Sequence, residues 1–302
     1  GLNFFISLNQ SLNLFIFLCS LVVYFLFYRK YYKKDLVILI IASLFSVMLM
    51  AFENVNRPDA GLYHLPFINI VNDSQLIVGL SNIHFRYGHI SVLQYISSLF
   101  NNSLFKDNGI LVPTTVIFLS LLGYFIYEIF NKNSDKFVKI LSLFFSVYIL
   151  LNMNRYSSWG NDDFASILFF IIIIESYKFN LKSDFLSFSK IILYCSICFL
   201  IKTFYLIVFL IPGLLFLINF RTLGLQTVTS RSSIFCLFLI LLWILRTYLT
   251  TSCLIFPINL TCFGSFDWSL KYDAIKKISL ISEAWSKDWP NFNNKEKLNY
   301  EN

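Results

Sequence analysis

Leu12 to Lys30 reads L-N-L-F-I-F-L-C-S-L-V-V-Y-F-L-F-Y-R-K. The run from Leu12 to Tyr28 carries no charge, and two cations close it. A helix that crosses a bilayer needs about 20 mostly apolar residues, with a range of roughly 17–25. No small-residue cleavage site follows the run. Arg29 and Lys30 follow instead, so the segment reads as a retained transmembrane helix rather than a signal peptide. The fold then depends on whether the chain repeats this pattern. It does, with further apolar runs at 36–52, 110–130, 137–152, 164–177, 190–201, 204–220 and 233–250.

Composition agrees. The 302 residues are 57% hydrophobic, 19% aromatic and 14% charged, with a mean hydropathy of +0.67. Soluble domains carry about 25% charged residues, so most of this chain is expected to face lipid. The net charge of +7 would suggest nucleic acid in a soluble protein. Here the cations fill short loops between apolar runs, which topology explains and nucleic acid does not. The predicted class is all-α: a multi-pass transmembrane bundle of about 7–8 helices, with amphipathic helices in a long first outward loop. The expected division is a membrane domain over 1–252, followed by an outward loop and the start of a C-terminal region over 253–302. The opening Gly1 and the polar stretch Lys295 to Asn302 suggest a piece of a longer protein.

The loops alternate in charge. Arg29, Lys30, Lys33 and Lys34 fill the first. Lys132, Lys136 and Lys139 surround the next basic one, then Lys178, Lys182 and Lys190, then Arg221 and Arg231. The positive-inside rule places these in the cytoplasm and turns 53–108, 153–163 and 252–269 outward. That parity demands an even number of crossings between Lys190 and Arg221, hence two helices turning near Lys202. One long helix is the alternative, and it would put Cys253 in the cytoplasm. Residues 191 to 201 alone would reach about 16 Å, short for a crossing.

The first outward loop concentrates chemistry. All three histidines, His64, His84 and His89, lie in it, with Asp59, Asp73, Arg57 and Arg86. Asp59 can serve as general base toward a hydroxyl, or it can cap the helix that follows. His64 can bond a phosphate or sugar, or be a satisfied structural histidine. Arg86 can clamp phosphate through paired donors, or reach to headgroups. His89 opens a stretch to Phe100 in which Val92, Leu93, Ile96 and Leu99 alternate with Ser91, Gln94, Ser97 and Ser98. It reads as a helix on the membrane surface or packed on the bundle. The second outward loop holds Arg155, Asp162 and Asp163. The paired acids can favour a helix start or hold a divalent ion, Mg or Mn, through oxygen ligands. Lys202 stands in an apolar run, where a cation needs a cavity or partner. Cys253 and Cys262 share one outward loop and suit a disulfide in an oxidising compartment. Cys195 and Cys198 lie in a hydrophobic run and carry no redox expectation.

Asp59 with Tyr63, then Arg86-Tyr87-Gly88-His89 leading into Ile90–Phe100, then Arg155 with Asp162 and Asp163, resembles the GT-C superfamily of polyprenyl-phosphate-sugar-dependent glycosyltransferases. The stretch D-x-x-x-Y-H-L-P at 59–66 and Cys253-Leu254-Ile255-Phe256-Pro257 also resemble a bacterial family of multi-pass membrane proteins grouped near these transferases. The likeness covers about 50–270. It departs from the best-known members in having Asp59-Ala60 where they have an Asp-Glu pair, and in lacking a Lys-Pro-Pro-Leu type motif.

The resemblance implies an inverting transfer of sugar from a polyprenyl phosphate to a saccharide or lipid acceptor. The transfer would occur on the outer face of a bacterial plasma membrane. Asp59 and Asp163 would be catalytic. His64, Arg86, His89, Arg155 and Lys202 would contact substrate or phosphate, and Asp162 with Asp163 would be the candidate metal ligands. Two rival classes are a polysaccharide polymerase or ligase and a non-enzymatic transporter of lipid-linked saccharide. The sparse outward arginine (Arg57, Arg86, Arg155) disfavours the first. Polar residues in loops rather than at the midplane disfavour the second.

Overall fold

A computed structural model describes residues 1–27, 59–89, 91–152, 162–224 and 227–287. The expected helix at 36–52, with Glu53, Arg57 and Arg155, lies outside the described residues. Among the described residues the chain is helical and has no strand. The helices are α1 (Gln10–Phe27), α2 (Leu65–Asp73), α3 (Val92–Phe100), α4 (Val112–Phe130), α5 (Lys136–Leu151), α6 (Asp162–Lys182), α7 (Phe185–Ile201), α8 (Leu210–Ile218), α9 (Arg231–Thr251) and α10 (Tyr272–Lys287). Among the described residues four segments are long and apolar enough to cross a membrane: Gln10–Phe27, Gly109–Phe130, Asp163–Lys182 and Arg231–Thr251. Phe185–Ile201 and Thr203–Ile218 are apolar but shorter.

The chain forms two compact units, Gly1–Gln75 with Ile90–Ile240, and Leu76–His89 with Leu241–Asn302. This division differs from the boundary at 252/253 expected from sequence. Part of the first loop belongs with the C-terminal unit, for reasons of packing given below.

In the first unit α4 to α8 run up and down. Short turns force neighbours to be antiparallel, and the contacts record it. Phe125 of α4 meets Phe145 of α5 at 5.9 Å, and Phe145 stacks on Phe170 of α6 at 4.2 Å. Phe137 meets Tyr177 at 4.9 Å, nearer the other end of that pair. Phe179 of α6 meets Phe188 of α7 at 5.5 Å, while Cys198 Sγ reaches the Ala165 carbonyl at 3.4 Å. Asp135 caps α5 by accepting the Phe137 N–H at 2.8 Å. Asp184 caps α7 by accepting the Ser187 N–H at 3.0 Å. Hydrogen bonds from Ser187, its side chain first, hold that carboxyl below the usual carboxylate range. Pro113 sits in the first turn of α4, where its missing N–H costs little.

The bundle therefore has two ends. The turns at 131–135 and 183–184 and the segment after α8 mark one. The segment before α4, the start of α6 and Lys202 mark the other. The core includes Phe118, Phe125, Ile149, Phe164, Ile172, Phe179 and Ile191. Ile140, Phe144, Leu151, Leu217 and Ile218 are more than half exposed. An apolar exterior of this extent suits lipid rather than water.

The stretch after Lys190 is two helical segments. Lys202 is extended, with φ −147° and ψ 114°, between α7 and a 3₁₀ turn at Thr203–Phe209 that leads into α8. Cys195 Sγ approaches the Val208 carbonyl at 3.9 Å and Phe188 meets Phe216 at 6.2 Å, so the chain doubles back. The first of these helices begins at Phe185, not near Lys190 as expected. Its 17 residues reach about 26 Å. The Asp184 cap starts it early, and Lys190 is carried on its exposed side.

In the second unit the C-terminal part of α9 passes into a loop and then α10. Its core is Cys253, Phe256, Leu270, Ile275 and Ile278, with Phe85 and Cys262 packed on it. Cys253 and Cys262 form the expected disulfide, and Phe256-Pro257 is a cis peptide.

Candidate functional site

Asp59 leads the π-helical turn Ala60–His64. The chain is already helical there, with φ −63° and ψ −30°, and the carboxylate makes no capping bond to the turn. The capping role left open by the sequence is thus not the one Asp59 takes. It is half-buried. Five residues on, His64 is buried beside Tyr63, with their ring centroids 4.1 Å apart.

His64 is held from α3. Ser91 caps that helix, its hydroxyl accepting the Leu93 N–H at 3.1 Å. The Gln94 Oε1 accepts the Ser91 N–H at 2.6 Å, which completes a capping box. That bond orients the amide, so its NH2 group faces His64 Nδ1 and donates to it. Nδ1 is therefore the acceptor, and the ring proton resides on Nε2. Nothing in the sequence pairs Gln94 with His64. The only signal was S-x-x-Q at 91–94, a helix-start pattern.

The helix carrying Gln94 packs on the bundle, one of the two placements its pattern allowed, and its buried face includes polar side chains. Gln94, Ser97 and Ser98 are buried, while Ile96 and Leu99 are only half-buried. Buried carbonyls at its C-terminal end explain this. Asn13 of α1 donates to the Ser98 carbonyl at 2.8 Å, and Asn72 of α2 donates to the same oxygen at 3.3 Å. The small polar face is the packing face, and the helix lies against α1, α2 and the start of α4.

Asp163 and Lys202 occupy one end of the bundle. Ser166 and Tyr205 hydroxyls are 3.0 Å apart, and Ala165 meets Cys198 as described. These contacts tie the first turn of α6 to the reversal at Lys202. Asp162 begins α6, but its side chain lies outside the described residues, as does Arg155. Among the described residues no group of three or more His, Cys, Asp or Glu is placed to hold a metal ion.

Arg86 and His89 belong to the second unit. The Arg86 guanidinium lies 5.6 Å from the Phe85 ring centre, and the Arg86 N–H donates to His84 Nδ1 at 3.3 Å. His89 is exposed and meets Phe256 edge-on at 4.8 Å. Two glycines explain why this segment docks there. Gly79 has φ +71°, and a Cβ on it would stand 2.9 Å from the Trp268 carbonyl. A Cβ on Gly88 would stand 2.6 Å from the Phe256 ring and 2.9 Å from Thr251 Cγ2. Asn82 donates to the Trp268 carbonyl at 2.7 Å, and the Gly79 N–H donates to the Leu249 carbonyl at 2.9 Å.

Residues 2–300 match the family described as Domain of unknown function (DUF8201). The chain belongs to that family. No curated protein and no solved structure matches it.

Two further features of this DUF8201 chain escaped the sequence reading. Arg246, in the apolar run of α9, is buried. It donates from Nη2 to the Tyr87 carbonyl at 2.9 Å and lies 5.4 Å from the Trp243 ring centre. Burial pushes the Tyr87 phenol up from its ordinary value. The second feature is a polar knot at the lysine-rich end of the bundle. Lys178 Nζ donates to Glu128 at 2.6 Å and to Glu175 at 2.9 Å. The Tyr124 hydroxyl donates to Glu175 at 2.5 Å, and Ser134 Oγ donates to Glu128 at 2.7 Å. Both carboxylates are buried. The signal for each feature was a charge inside an apolar run, which needs a partner or a cavity.

Proposed function

We propose that this protein is a membrane glycosyltransferase of GT-C type. It moves a sugar from a polyprenyl phosphate to an acceptor hydroxyl at the non-cytoplasmic face of a bacterial plasma membrane. The observation that carries the reading is that the first turn of α6, with Asp163, and the reversal at Lys202 lie at the same end of the bundle, away from the lysine-rich turns. The His64-bearing segment packs, through α3, on the segment that opens α4 at that same end.

In this scheme Asp59 removes the proton from the acceptor hydroxyl. The oxygen forms its bond to the anomeric carbon as the bond from that carbon to the donor phosphate breaks. The polyprenyl phosphate leaves with the electron pair, and Lys202 offsets the charge that grows on it. His64, as an Nε2–H donor, hydrogen-bonds a sugar or phosphate oxygen. Roles for Arg86, His89 and Arg155 on the phosphate, and for Asp163 beside the base, are carried over from the resemblance.

The test is Asp59→Asn, assayed in membranes with a radiolabelled polyprenyl-phosphate sugar. General-base catalysis contributes typically 10²–10⁴-fold, so transfer is expected to fall by at least about 100-fold while folding and donor binding persist. Transfer at the parental rate would overturn the assignment. A change in uptake of lipid-linked saccharide without a change in transfer would replace it with a transporter.

A further inference from the structure

At the end of α9 the chain enters a hairpin that carries no charge. Ser252 to Phe266 reads S-C-L-I-F-P-I-N-L-T-C-F-G-S-F. The Cys253–Cys262 disulfide closes it, and the two cysteines also pair as an antiparallel bridge. The Phe263 N–H donates to the Ser252 carbonyl at 2.8 Å, and the Leu254 N–H donates to the Thr261 carbonyl at 2.9 Å. Within the loop Thr261 Oγ1 accepts the Ile255 N–H at 3.1 Å, and the Ile258 N–H donates to the Ile255 carbonyl at 2.9 Å. Much of the backbone is thus satisfied internally, as a segment near lipid requires.

The side chains point the other way. Leu260 at the tip is 98% exposed, and Leu254, Ile258, Phe263 and Phe266 are each 40% exposed or more. Leaving a leucine in water rather than burying it is unfavourable, and the closed loop holds this one outward. An aromatic cluster sits at the base. Tyr248, in the last turns of α9, meets Phe263 at 5.9 Å, Phe266 at 6.2 Å and Trp268 at 5.7 Å, and Phe266 stacks on Trp268. Tyrosine and tryptophan gather at headgroup level. The 21 residues of α9 reach about 31 Å, close to the hydrocarbon thickness. A crossing by α9 would bring Thr251 to the hydrocarbon edge, and the hairpin begins one residue later.

We propose that the Cys253–Cys262 hairpin is a membrane-insertion loop. Leu260, Ile258 and Leu254 sink into the headgroup–acyl boundary of the leaflet where α9 ends, and the Tyr248 cluster marks headgroup level. Lipid is the occupant because the loop leaves a span directly, carries no charge and has interfacial aromatics at its base. The inner side of the same hairpin holds Phe256 against Gly88. Insertion thereby fixes the depth of Arg86 and His89 relative to the lipid surface, whatever reaction the protein performs.

The test uses the full chain in phosphatidylcholine–phosphatidylglycerol vesicles. Cys19, the exposed free cysteine, is replaced by Ser, and Leu260→Cys is labelled with an environment-sensitive fluorophore. Blue-shifted emission is expected, lowered at least about twofold by lipid spin-labelled near the headgroup and protected from iodide. Water-like emission quenched by iodide overturns the proposal. So does shifted emission that neither quencher reaches, which would mean a protein partner. Leu260→Trp against Leu260→Phe, in vesicles with brominated acyl chains, gives a reading free of added thiol. A difference spectrum that the bromolipid leaves unquenched overturns the proposal as well.

Discussion

His64 and Gln94 show how one bond decides what a side chain can do. Because the Gln94 carbonyl oxygen is committed to the Ser91 N–H, the amide nitrogen must face the ring. His64 then offers a donor, not an acceptor, from Nε2. Gln94→Glu reverses this, since a carboxylate accepts from both neighbours. The variant is expected to move the ring proton to Nδ1, which nitrogen-15 NMR of the labelled imidazole reads directly. An unchanged tautomer would show that Gln94 does not set it. Gln94→Leu instead strands both partners in a buried site, at a cost of about 1–3 kcal/mol for each unsatisfied group, seen as a lower unfolding midpoint. The sequence marked His64 and Asp59 because polar residues crowd one loop. It gave no hint of Gln94, whose contact with His64 spans 30 positions and depends on two helices meeting.

Helices were the most legible part of this chain, because length and hydropathy set them almost alone. The runs at 10–28, 110–130, 137–152 and 233–250 match α1, α4, α5 and α9 within a few residues. The helix at 92–100 packs on the bundle, one of the two placements its pattern allowed, with Gln94, Ser97 and Ser98 turned inward. Hydropathy assigns serine and glutamine to water, but here the bundle offers them carbonyl and amide partners, and small side chains let helices approach. Charged residues inside helices were missed for a related reason. Lys178 pairs with Glu175 one turn away on α6, but its second partner, Glu128 on α4, lies 50 positions off in sequence. Lys178→Met leaves two buried carboxylates without their ammonium. The expected loss is about 3–5 kcal/mol of stability, the range for breaking a buried pair, measurable by thermal unfolding in detergent. Glu175→Gln is expected to cost less, because Glu128 keeps Lys178. The glycine at 88 makes a parallel case in the second unit. Gly88→Ala forces a methyl against Phe256 and is expected to cost about 1–3 kcal/mol. Phe256→Leu, by vacating ring volume, should recover part of that loss in the double variant. If Gly88→Ala is neutral, the docking of 79–89 on Phe256 is not what holds the segment.

The proposed sidedness rests on two arguments that share no observation. The first is charge. The turns at 131–135 and 183–184 and the stretch around Arg221 lie at one end of the bundle, with Lys132, Lys136, Lys139, Lys178, Lys182 and Arg221 in or beside them, and the positive-inside rule assigns such cations to the cytoplasm. The second is redox. A disulfide persists in oxidising compartments and is rare in the cytosol, so the proposed reading assigns Cys253 and Cys262 to the non-cytoplasmic side. The two agree only if the chain crosses an odd number of times between those turns and the disulfide. The reversal at Lys202 brings the chain back to the basic end, where Ser233 Oγ donates to the Thr227 carbonyl at 2.7 Å and ties the start of α9 to the preceding turn. In the proposed topology one crossing by α9 then leads to the disulfide. A single long helix over 190–220 would break the agreement, and the extended backbone at Lys202 is where the chain avoids it. With Cys19→Ser as background, Lys132→Cys is expected to react with an impermeant maleimide only after the cells are permeabilised. Asp267→Cys is expected to react in intact cells, and the native pair only after reduction. Labelling of Lys132→Cys and Asp267→Cys from the same side would leave an even number of crossings between them. The glycosyltransferase reading would then lose the outward face on which its lipid-linked donor must arrive.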